Sequence, residues 1–324
     1  MRISRLAGAM LALSSALALP LAHADTFPSK PIRIVVGFPT GGAPDTLARI
    51  VSEKISPSWN QPVIVDNKPG AGGNIGAEAV ARSAPDGYTL ALGTVGTHSI
   101  NGALYSKMPY DMVKDFTPVM LVASTPNVLV VHTGVQAKTT AELIALAKAK
   151  PGGLTFGTPG VGTSPHVAGE MFNSMAGVKI THVPYKGRAM AIPDLLGGHI
   201  TMMFDNLPSA LPVIKEGKLR ALGVTSLKRS QSAPDIPTLA EQGLAGFEAD
   251  SWFAIFAPAN TPKDVIAKLN TELNRIFTLP DVQAKLKTLG LDPVLGTPEA
   301  LAAHQKKEIA KWAKVVKESG AKAE

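Results

Sequence analysis

The 324-residue sequence contains no cysteine, so no disulfide bond can stabilise the fold and the hydrophobic core has to hold it alone. Aromatic residues make up only 5% of the chain, and lysine and arginine never form a run of five or more. Both observations argue against a nucleic-acid-binding protein, which needs stacking side chains and a concentrated basic surface. The net charge of +7 is therefore interpreted as dispersed surface charge that also attracts anions.

Apart from its N-terminus, the sequence has no apolar run of the roughly 18 residues that a membrane-spanning helix needs. The N-terminus itself begins with Arg2 and Arg5, continues in a stretch rich in leucine and alanine, and reaches Ala-His-Ala at residues 22–24. This order is typical of a secretory signal peptide with a small-x-small cleavage site, here residues 1–24, rather than of a membrane anchor. We expect the mature protein to be soluble in a bacterial periplasm.

Short apolar segments alternate with amphipathic ones along the rest of the chain. Residues 32–36 (IRIVV) predict a strand and residues 45–55 predict a helix with its apolar residues on one face, and the alternation recurs in the second half of the chain. Such alternation indicates an α/β protein whose sheets are parallel and covered on both faces. We predict a first lobe of residues 25–124 and 249–324 and a second lobe of residues 125–248, with the C-terminal helices packed on the first.

Loops rich in glycine or polar residues follow five of the predicted strands. In open α/β sheets, ligands bind beyond the carboxyl ends of the strands, where helix N-termini offer unpaired N–H groups to anions. Any single loop of this kind is more often a simple connection, but five of them together predict an anion-binding cleft. The loops are GFPTGGAPD (37–45), GTVGTHS (93–99), FGTPGVGTSPH (156–166), VPYKGR (183–188) and FDNLPS (204–209).

Patterns for catalysis or cofactor binding are incomplete. Ser164 lies near His166, but the segment lacks the final glycine of a nucleophile elbow, and Pro165 removes the N–H that such an elbow uses as an oxyanion donor. Residues 70–76 (GAGGNIG) come close to a dinucleotide-binding fingerprint, but the last glycine is one residue late. The histidines form no His-x-x-x-His pair, so no metal site is predicted. We therefore expect no enzyme activity, no cofactor and no metal.

Several polar residues in these loops have an ordinary structural explanation as well as a functional one. His98 and His166 lie at predicted helix starts, either as cap-region residues or as donors to a bound carboxylate. Asp45 is either an early-helix acid that complements the helix dipole or a ligand-binding group. Asp205 is either a helix N-cap or a ligand contact, and Tyr185–Lys186 is either a surface pair or part of the site.

Eight blocks of sequence, spread over the whole mature chain, carry a family resemblance: FPTGGAPD, NKPGAGGNIGAE, APDGYTL, VPYKG, DLLGGHI, MFDNLPSALP, GKLRALGVTS and SWFAIFAP. With them the sequence resembles the Bug family of extracytoplasmic solute receptors, the substrate-binding components of tripartite tricarboxylate transporters. The resemblance implies a type II periplasmic-binding-protein fold, in which two α/β lobes joined by two crossing strands close on a ligand. It also implies a small carboxylic acid as ligand (a di- or tricarboxylate, an aromatic carboxylate or an amino acid) and membrane transporter subunits as partners. We expect a monomer.

The resemblance also implies ligand-binding residues on both sides of the cleft. Glycines there let the backbone approach the ligand, hydroxyl groups donate hydrogen bonds, and Asp205 accepts one from a ligand ammonium group or from a water molecule. On the first lobe the residues are Phe38, Pro39, Gly41, Gly42, Asp45, Thr97 and His98, and on the second lobe they are Gly162, Thr163, Ser164, Tyr185, Lys186, Gly187, Asp205 and Asn206.

Arg188 departs from the family, whose members commonly have a small or polar residue after Tyr-Lys-Gly. Its guanidinium group either binds a second ligand carboxylate in bidentate fashion or lies on the surface. Two other functions stay open at this point. One is a receptor that presents its ligand to a membrane sensor kinase, which needs the same closed lobes. The other is a periplasmic hydrolase, which the incomplete catalytic patterns disfavour.

Overall fold

Two β-sheets organise the computed structural model, which describes residues 27–323; the predicted signal peptide, residues 1–24, lies outside the described residues. Each sheet is the centre of one α/β lobe, which confirms the predicted fold class. In spatial order the first sheet contains β11 (Asp292–Pro293), β4 (Phe116–Thr125), β10 (Ser251–Pro258), β3 (Thr89–Thr94), β1 (Ile32–Val36) and β2 (Val63–Asn67). The second contains β7 (Thr181–Pro184), β6 (Thr155–Thr158), β8 (Met202–Asn206), β5 (Asn127–His132) and β9 (Leu219–Val224).

Helices pack on both faces of each sheet. Among the described residues, no helix has the length and the apolar character needed to cross a bilayer. The first lobe carries α1 (Ala43–Trp59), α2 (Asn74–Ala81), a π-helical turn (Gly96–Ile100), α3 (Asn101–Leu104), α8 (Lys263–Phe277), α9 (Pro280–Leu289) and α10 (Pro298–Ser319). The second lobe carries α4 (Thr140–Ala149), α5 (Ser164–Ala176), α6 (Arg188–Leu196) and α7 (Leu207–Lys215).

The apolar core explains why the strands are continuous apolar runs. In β1, Ile34 and Val36 belong to the cluster on the side of α1 and α8, whereas Val35 belongs to the cluster on the opposite side. A strand that is buried on both faces therefore needs apolar residues at successive positions. The cluster of Val35 continues into the second lobe, where it includes Phe156 and Phe172. The hydrophobic core thus joins the two lobes.

The sheets are mixed rather than purely parallel, which corrects the expectation from the sequence. β1 pairs in parallel with β2 and β3, and β6 pairs in parallel with β7 and β8. By contrast, β10 is antiparallel to β3 and β4, and β5 is antiparallel to β8 and β9. The chain crosses between the lobes twice, through Pro126 from β4 to β5 and through residues 225–250 from β9 to β10. The two strands that follow the crossings are β5 and β10. The strand β5 is antiparallel to neighbours of the second lobe only, and β10 is antiparallel to neighbours of the first lobe only.

The strand β4 has no counterpart in the sequence analysis, because Pro118 and several polar residues interrupt its apolar pattern. It nevertheless pairs with β10 along its whole length, with two register shifts in the ladder. Sheet membership changes between β4 and β5 and again between β9 and β10. The exact lobe boundaries, residues 25–124 with 249–324 and residues 125–248, stay a prediction.

The sequence had suggested that the C-terminal helix α10 packs on the first lobe alone, but it packs on both lobes. It lies against β4 and α3 of the first lobe and against α5 of the second. Trp312 is fully buried at this joint. Its indole N–H and that of Trp252 both donate to Glu308 Oε2, at 2.9 and 3.2 Å. The helix therefore closes one side of the joint between the lobes.

Candidate functional site

A cavity of about 350 Å³ lies between the two lobes. Its walls are formed by the loops after β1 and β3 of the first lobe, by the loops after β6, β7 and β8 of the second, and by β10. These are the carboxyl ends of the parallel strands, where ligands bind in open α/β sheets. The volume lies within the range of small-molecule sites, about 300–1,000 Å³. Apolar side chains, among them Phe38, Val95 and Phe253, form much of the wall.

Four helices begin at the cavity wall: α1, α5, α6 and α7. Their N-cap residues are Gly42, Thr163, Gly187 and Asn206, all of which line the cavity. No side chain of these N-cap residues accepts a hydrogen bond from its own helix. The same holds for α2, α8 and α9 outside the cavity, whereas α4 and α10 have threonine caps. The positive ends of four helix dipoles therefore face one cavity, although at α7 the N–H groups of Asn206 and Leu207 already donate to Asp205 and to Pro126 O. This arrangement favours a bound anion.

The floor of the cavity is a buried polar network between the two lobes. Asn206 Nδ2 donates to Asn127 Oδ1 at 2.7 Å and to Ser251 Oγ at 2.6 Å. The hydroxyl groups of Ser164 and Ser251 are hydrogen-bonded to each other. Because Ser164 and Asn206 come from the second lobe and Ser251 from β10 of the first, these groups hold fixed positions between the lobes. They offer ordered polar contacts to a ligand.

The loop after β1 is held in shape by Asp45, which is itself buried and does not line the cavity. Its carboxylate accepts hydrogen bonds from Gly41 N at 3.0 Å, Arg49 Nε at 2.9 Å and Asn67 Nδ2 at 3.0 Å. Asn67 Nδ2 also donates to the carbonyl oxygen of Phe38. Burial alone raises the pKa of Asp45, but these hydrogen bonds outweigh burial and hold that pKa below its ordinary value. Asp45 thus positions the loop rather than a ligand.

The charged wall of the cavity belongs to the second lobe. Arg188 lines the cavity, which decides between its two predicted positions. Its Nε donates to Asp205 Oδ2 at 2.6 Å and its Nη2 donates to Ser209 O at 2.7 Å. Within residues 27–323 no acceptor pairs with Nη1, so this nitrogen is available to a ligand. The other Asp205 oxygen accepts from Asn206 N–H at 2.9 Å.

Asp205 is fully buried and is the only acidic residue among the cavity-lining residues. Burial raises the pKa of this carboxyl, and the neighbouring Arg188 guanidinium opposes the rise. Both of its oxygens already accept hydrogen bonds from the protein. The carboxylate therefore balances the charge of Arg188.

Most of the residues that the resemblance implies as ligand contacts do line the cavity, although ligand contact itself stays a prediction for each of them. The residues that line it are Phe38, Pro39, Gly41, Gly42, Thr163, Ser164, Lys186, Gly187, Asp205 and Asn206.

The others lie outside the lining. His98 is fully buried with its ring stacked on Phe256 at 4.0 Å, and burial lowers its pKa to about 3. Thr97 Oγ1 lies 2.8 Å from His98 Nδ1, and Tyr185 Oη donates to Asp194 at 2.7 Å. Gly162 has a φ of +82° and lies against the first lobe. None of these is brought to the cavity, so we leave them, with Asp45, out of the proposed ligand-binding set.

Part of the lining was not predicted from the sequence. Ser251 and Phe253 stand on the crossing strand β10, and a rule that crossing strands pass the floor of the cleft would have found them. Thr94–Gly96 and Ser209 lie within the predicted loops 93–99 and 204–209, in which other residues were singled out. The remaining lining residues outside the implied set are Thr40, Ala43, Pro44, Pro159, Pro165, Arg188 and Ala189.

Comparison with known proteins gives matches over both lobes. The model of the family described as tripartite tricarboxylate transporter family receptor matches residues 47–321. Protein BugT of Bordetella pertussis is 39% identical over 300 residues, which cover 92% of this chain and 92% of BugT. A solved structure of an R. palustris protein with adipate has a TM-score of 0.87 and 38% identity, and covers 91% of this chain and 98% of its own. MatC from Rhodopseudomonas palustris with bound malate has a TM-score of 0.85 and 34% identity, and the match covers 90% of this chain and 100% of MatC.

The hydrogen bonds of Asp45 predict a pH-dependent contribution to stability. Because its pKa lies below the ordinary value of 3.8, ionised Asp45 stabilises the folded state above that pH, and the contribution is lost as the pH falls through the lowered pKa. We expect Asp45→Asn to reduce the free energy of unfolding by about 1–3 kcal/mol at neutral pH. The difference from the unsubstituted protein should shrink below about pH 4.

Urea unfolding at a series of pH values measures this difference. Asp235→Asn, which removes an exposed loop carboxylate, is the control and should change the free energy of unfolding by less than about 0.5 kcal/mol. A difference between Asp45→Asn and the unsubstituted protein that stays constant from neutral to acidic pH would contradict this account.

Proposed function

Since this chain belongs to the receptor family of tripartite tricarboxylate transporters, we propose that it binds a small dicarboxylate without an amino group and delivers it to the membrane subunits of such a transporter. The predicted resemblance to the Bug receptors is confirmed, and the chain is a solute-binding receptor. Relatives with adipate and with malate support a carboxylate as its ligand. The periplasmic location and the transporter subunits remain predictions.

The four helix N-termini around the cavity are the observation that carries this proposal. Each helix end adds a partial positive charge, and together they stabilise an anion without needing a dedicated cationic side chain. Lys186 and Arg188 add full positive charges to the lining, whereas Asp205 is its only acid. The lining therefore carries more positive charge than one ligand carboxylate neutralises. A ligand with two carboxylates uses both the helix ends and the guanidinium group.

A ligand without an amino group fits the acidic residues of the site. The two carboxylates near the cavity are those of Asp45 and Asp205, and both accept several hydrogen bonds from the protein. Asp45 does not line the cavity, and Asp205 already balances the charge of Arg188. A ligand ammonium group would therefore lie among the helix N-termini, Lys186 and Arg188 with no acidic residue of its own to balance its charge, and like charges repel. The site therefore favours plain organic acids over amino acids.

The surroundings of Ser164, in the segment that resembles a nucleophile elbow, also fit a non-catalytic receptor. The hydroxyl of Ser164 contacts Ser251 and Asn127. The ring of His166 is stacked on His182 at 4.3 Å, and no hydrogen bond joins it to Ser164 among the described residues. A hydrolase needs a base within hydrogen-bond reach of its nucleophile. Capture and release of an unchanged ligand needs none.

The ligand class is tested by the melting temperature of residues 25–324 in the presence of single compounds. The panel contains adipate, malate, terephthalate, hexanoate, benzoate, glutamate and glucose. A ligand at a hundred times its dissociation constant adds about 2.7 kcal/mol to the free energy of unfolding, which gives a clear shift. We expect the largest shifts with dicarboxylates and none with glucose. A shift with glucose or glutamate and none with any plain carboxylate would contradict the proposal.

The role of Arg188 is tested with two acids that differ in one carboxylate, adipate and hexanoate, or the corresponding pair for the best dicarboxylate of the panel. Removing Arg188 alone would leave Asp205 buried and unpaired, so the variant is the double substitution Arg188→Ala, Asp205→Asn. We expect its affinity for the dicarboxylate to fall at least tenfold, about 1.4 kcal/mol, with little change for the monocarboxylate. Isothermal titration calorimetry measures both.

The matched control is Arg229→Ala, Glu241→Gln, which removes an exposed arginine–carboxylate pair of the same lobe, 2.9 Å apart and outside the cavity. It should leave both affinities unchanged. An unchanged preference for the dicarboxylate in the Arg188 variant would remove Arg188 from the binding site while leaving the carboxylate proposal intact.

A further inference from the structure

A second group of reactive side chains lies in the second lobe, outside the cavity lining. His166 and Glu170 are one turn apart on the same face of α5, and His182 stands on β7, the edge strand next to β6. One nitrogen or oxygen atom of each residue lies within 4.8 Å of those of the other two. His166 Nε2 is 3.8 Å from Glu170 Oε1. Two imidazoles and a carboxylate therefore meet between a helix and an edge strand.

The protein gives these groups no other charged partner. Within residues 27–323 no lysine or arginine forms an ion pair with Glu170, although the residue is half-buried. Burial lowers the pKa of His166 to about 3 and that of His182 to about 4, so both rings are neutral at physiological pH and carry one lone pair each. Neutral imidazoles and a carboxylate are the forms in which these side chains bind metal ions.

The contacts around His182 resemble the surroundings of metal-binding histidines. Its Nε2 lies 2.7 Å from Thr158 Oγ1, and the same hydroxyl donates to Gly160 O at 3.4 Å. In the tautomer with a protonated Nε2, the imidazole donates to this hydroxyl and the lone pair is on Nδ1. A hydrogen bond that fixes the tautomer in this way is the usual companion of a histidine ligand.

We propose that His166, Glu170 and His182 bind one first-row transition metal ion, for which Zn²⁺ is the best match. Two imidazole nitrogens and one carboxylate oxygen are a common zinc-binding set, with a water molecule in the fourth position. Zinc holds such ligands at about 2.0–2.2 Å, which places the ligand atoms about 3.3–3.6 Å from one another. The three side chains therefore need to approach by roughly 1 Å beyond their positions in the structure.

Binding also requires two local adjustments. The imidazole rings are stacked, with centroids 4.3 Å apart and 26° between their planes, whereas both lone pairs have to point to one ion. His182 is the ring that turns, because it is only half-buried and His166 is buried, and the Thr158 hydroxyl has to follow its Nε2 as it does so. His166 Nδ1 accepts from Gly162 N–H at 3.4 Å, a long hydrogen bond that is lost when the ring proton moves to Nδ1 and Nε2 binds the ion. The bound ion then ties α5 to the edge strand β7.

The test uses residues 25–324 without a histidine tag, dialysed against a chelator and titrated with ZnCl2 by isothermal titration calorimetry in a buffer free of carboxylates. We expect one zinc ion per chain and a rise in melting temperature. Glu170→Gln, which keeps the shape of the side chain, and His182→Ala should each weaken zinc binding by about tenfold or more. The control His199→Ala removes an exposed histidine outside the cluster and should leave the affinity unchanged.

Either of two results would overturn the zinc site. One is the absence of binding at millimolar ZnCl2, and the other is equal binding to the unsubstituted protein, Glu170→Gln and His182→Ala. The melting temperatures of the variants without zinc show whether they are folded, and Glu170→Gln keeps the test decisive if His182→Ala unfolds. The carboxylate panel is measured without zinc, so the two proposals stand or fall separately.

Discussion

The hydrogen bonds of Asn127 are the constraint on which the two lobes and the cavity both depend. Asn127 stands where the first crossing enters the second lobe, and its N–H donates to Thr225 Oγ1 at 2.8 Å. Its side-chain Nδ2 donates to Ala249 O at 2.6 Å, which ties the first crossing to the returning segment. Its Oδ1 accepts from Asn206 at the cavity floor. The same buried residue therefore fixes the joint between the lobes and the polar base of the site.

Around this joint, α1, α5, α6 and α7 begin at the cavity wall without a side-chain cap. A serine, threonine or aspartate cap stabilises a helix by about 0.5–2 kcal/mol, and α4 and α10 have threonine caps of this kind. At α1 and α6 the N-cap positions are glycines, which let a ligand approach the main chain closely. A bound anion would supply at these helix ends the kind of stabilisation that a capping side chain supplies elsewhere.

The alternation of strands and helices was sufficient to predict two α/β lobes, and the family resemblance named ten of the 23 residues that line the cavity. Sequence periodicity did not reveal β4, because Pro118 breaks its pattern, nor the antiparallel crossings, because strand direction has no local signal. His98 was implied as a contact by the family resemblance, but its burial against Phe256 depends on tertiary packing. His166 and His182 are sixteen positions apart on different elements, so no spacing rule brings them together.

The central claim is that main-chain N–H groups at the helix ends hold the ligand. Backbone amide NMR of deuterated, ¹⁵N-labelled protein, titrated with the carboxylate that gives the largest melting shift, tests it most directly. The account predicts the largest chemical-shift changes at the amides of Gly42, Ser164 and Arg188. It would be contradicted if these amides stayed unchanged at saturation while the changes concentrated elsewhere in the chain.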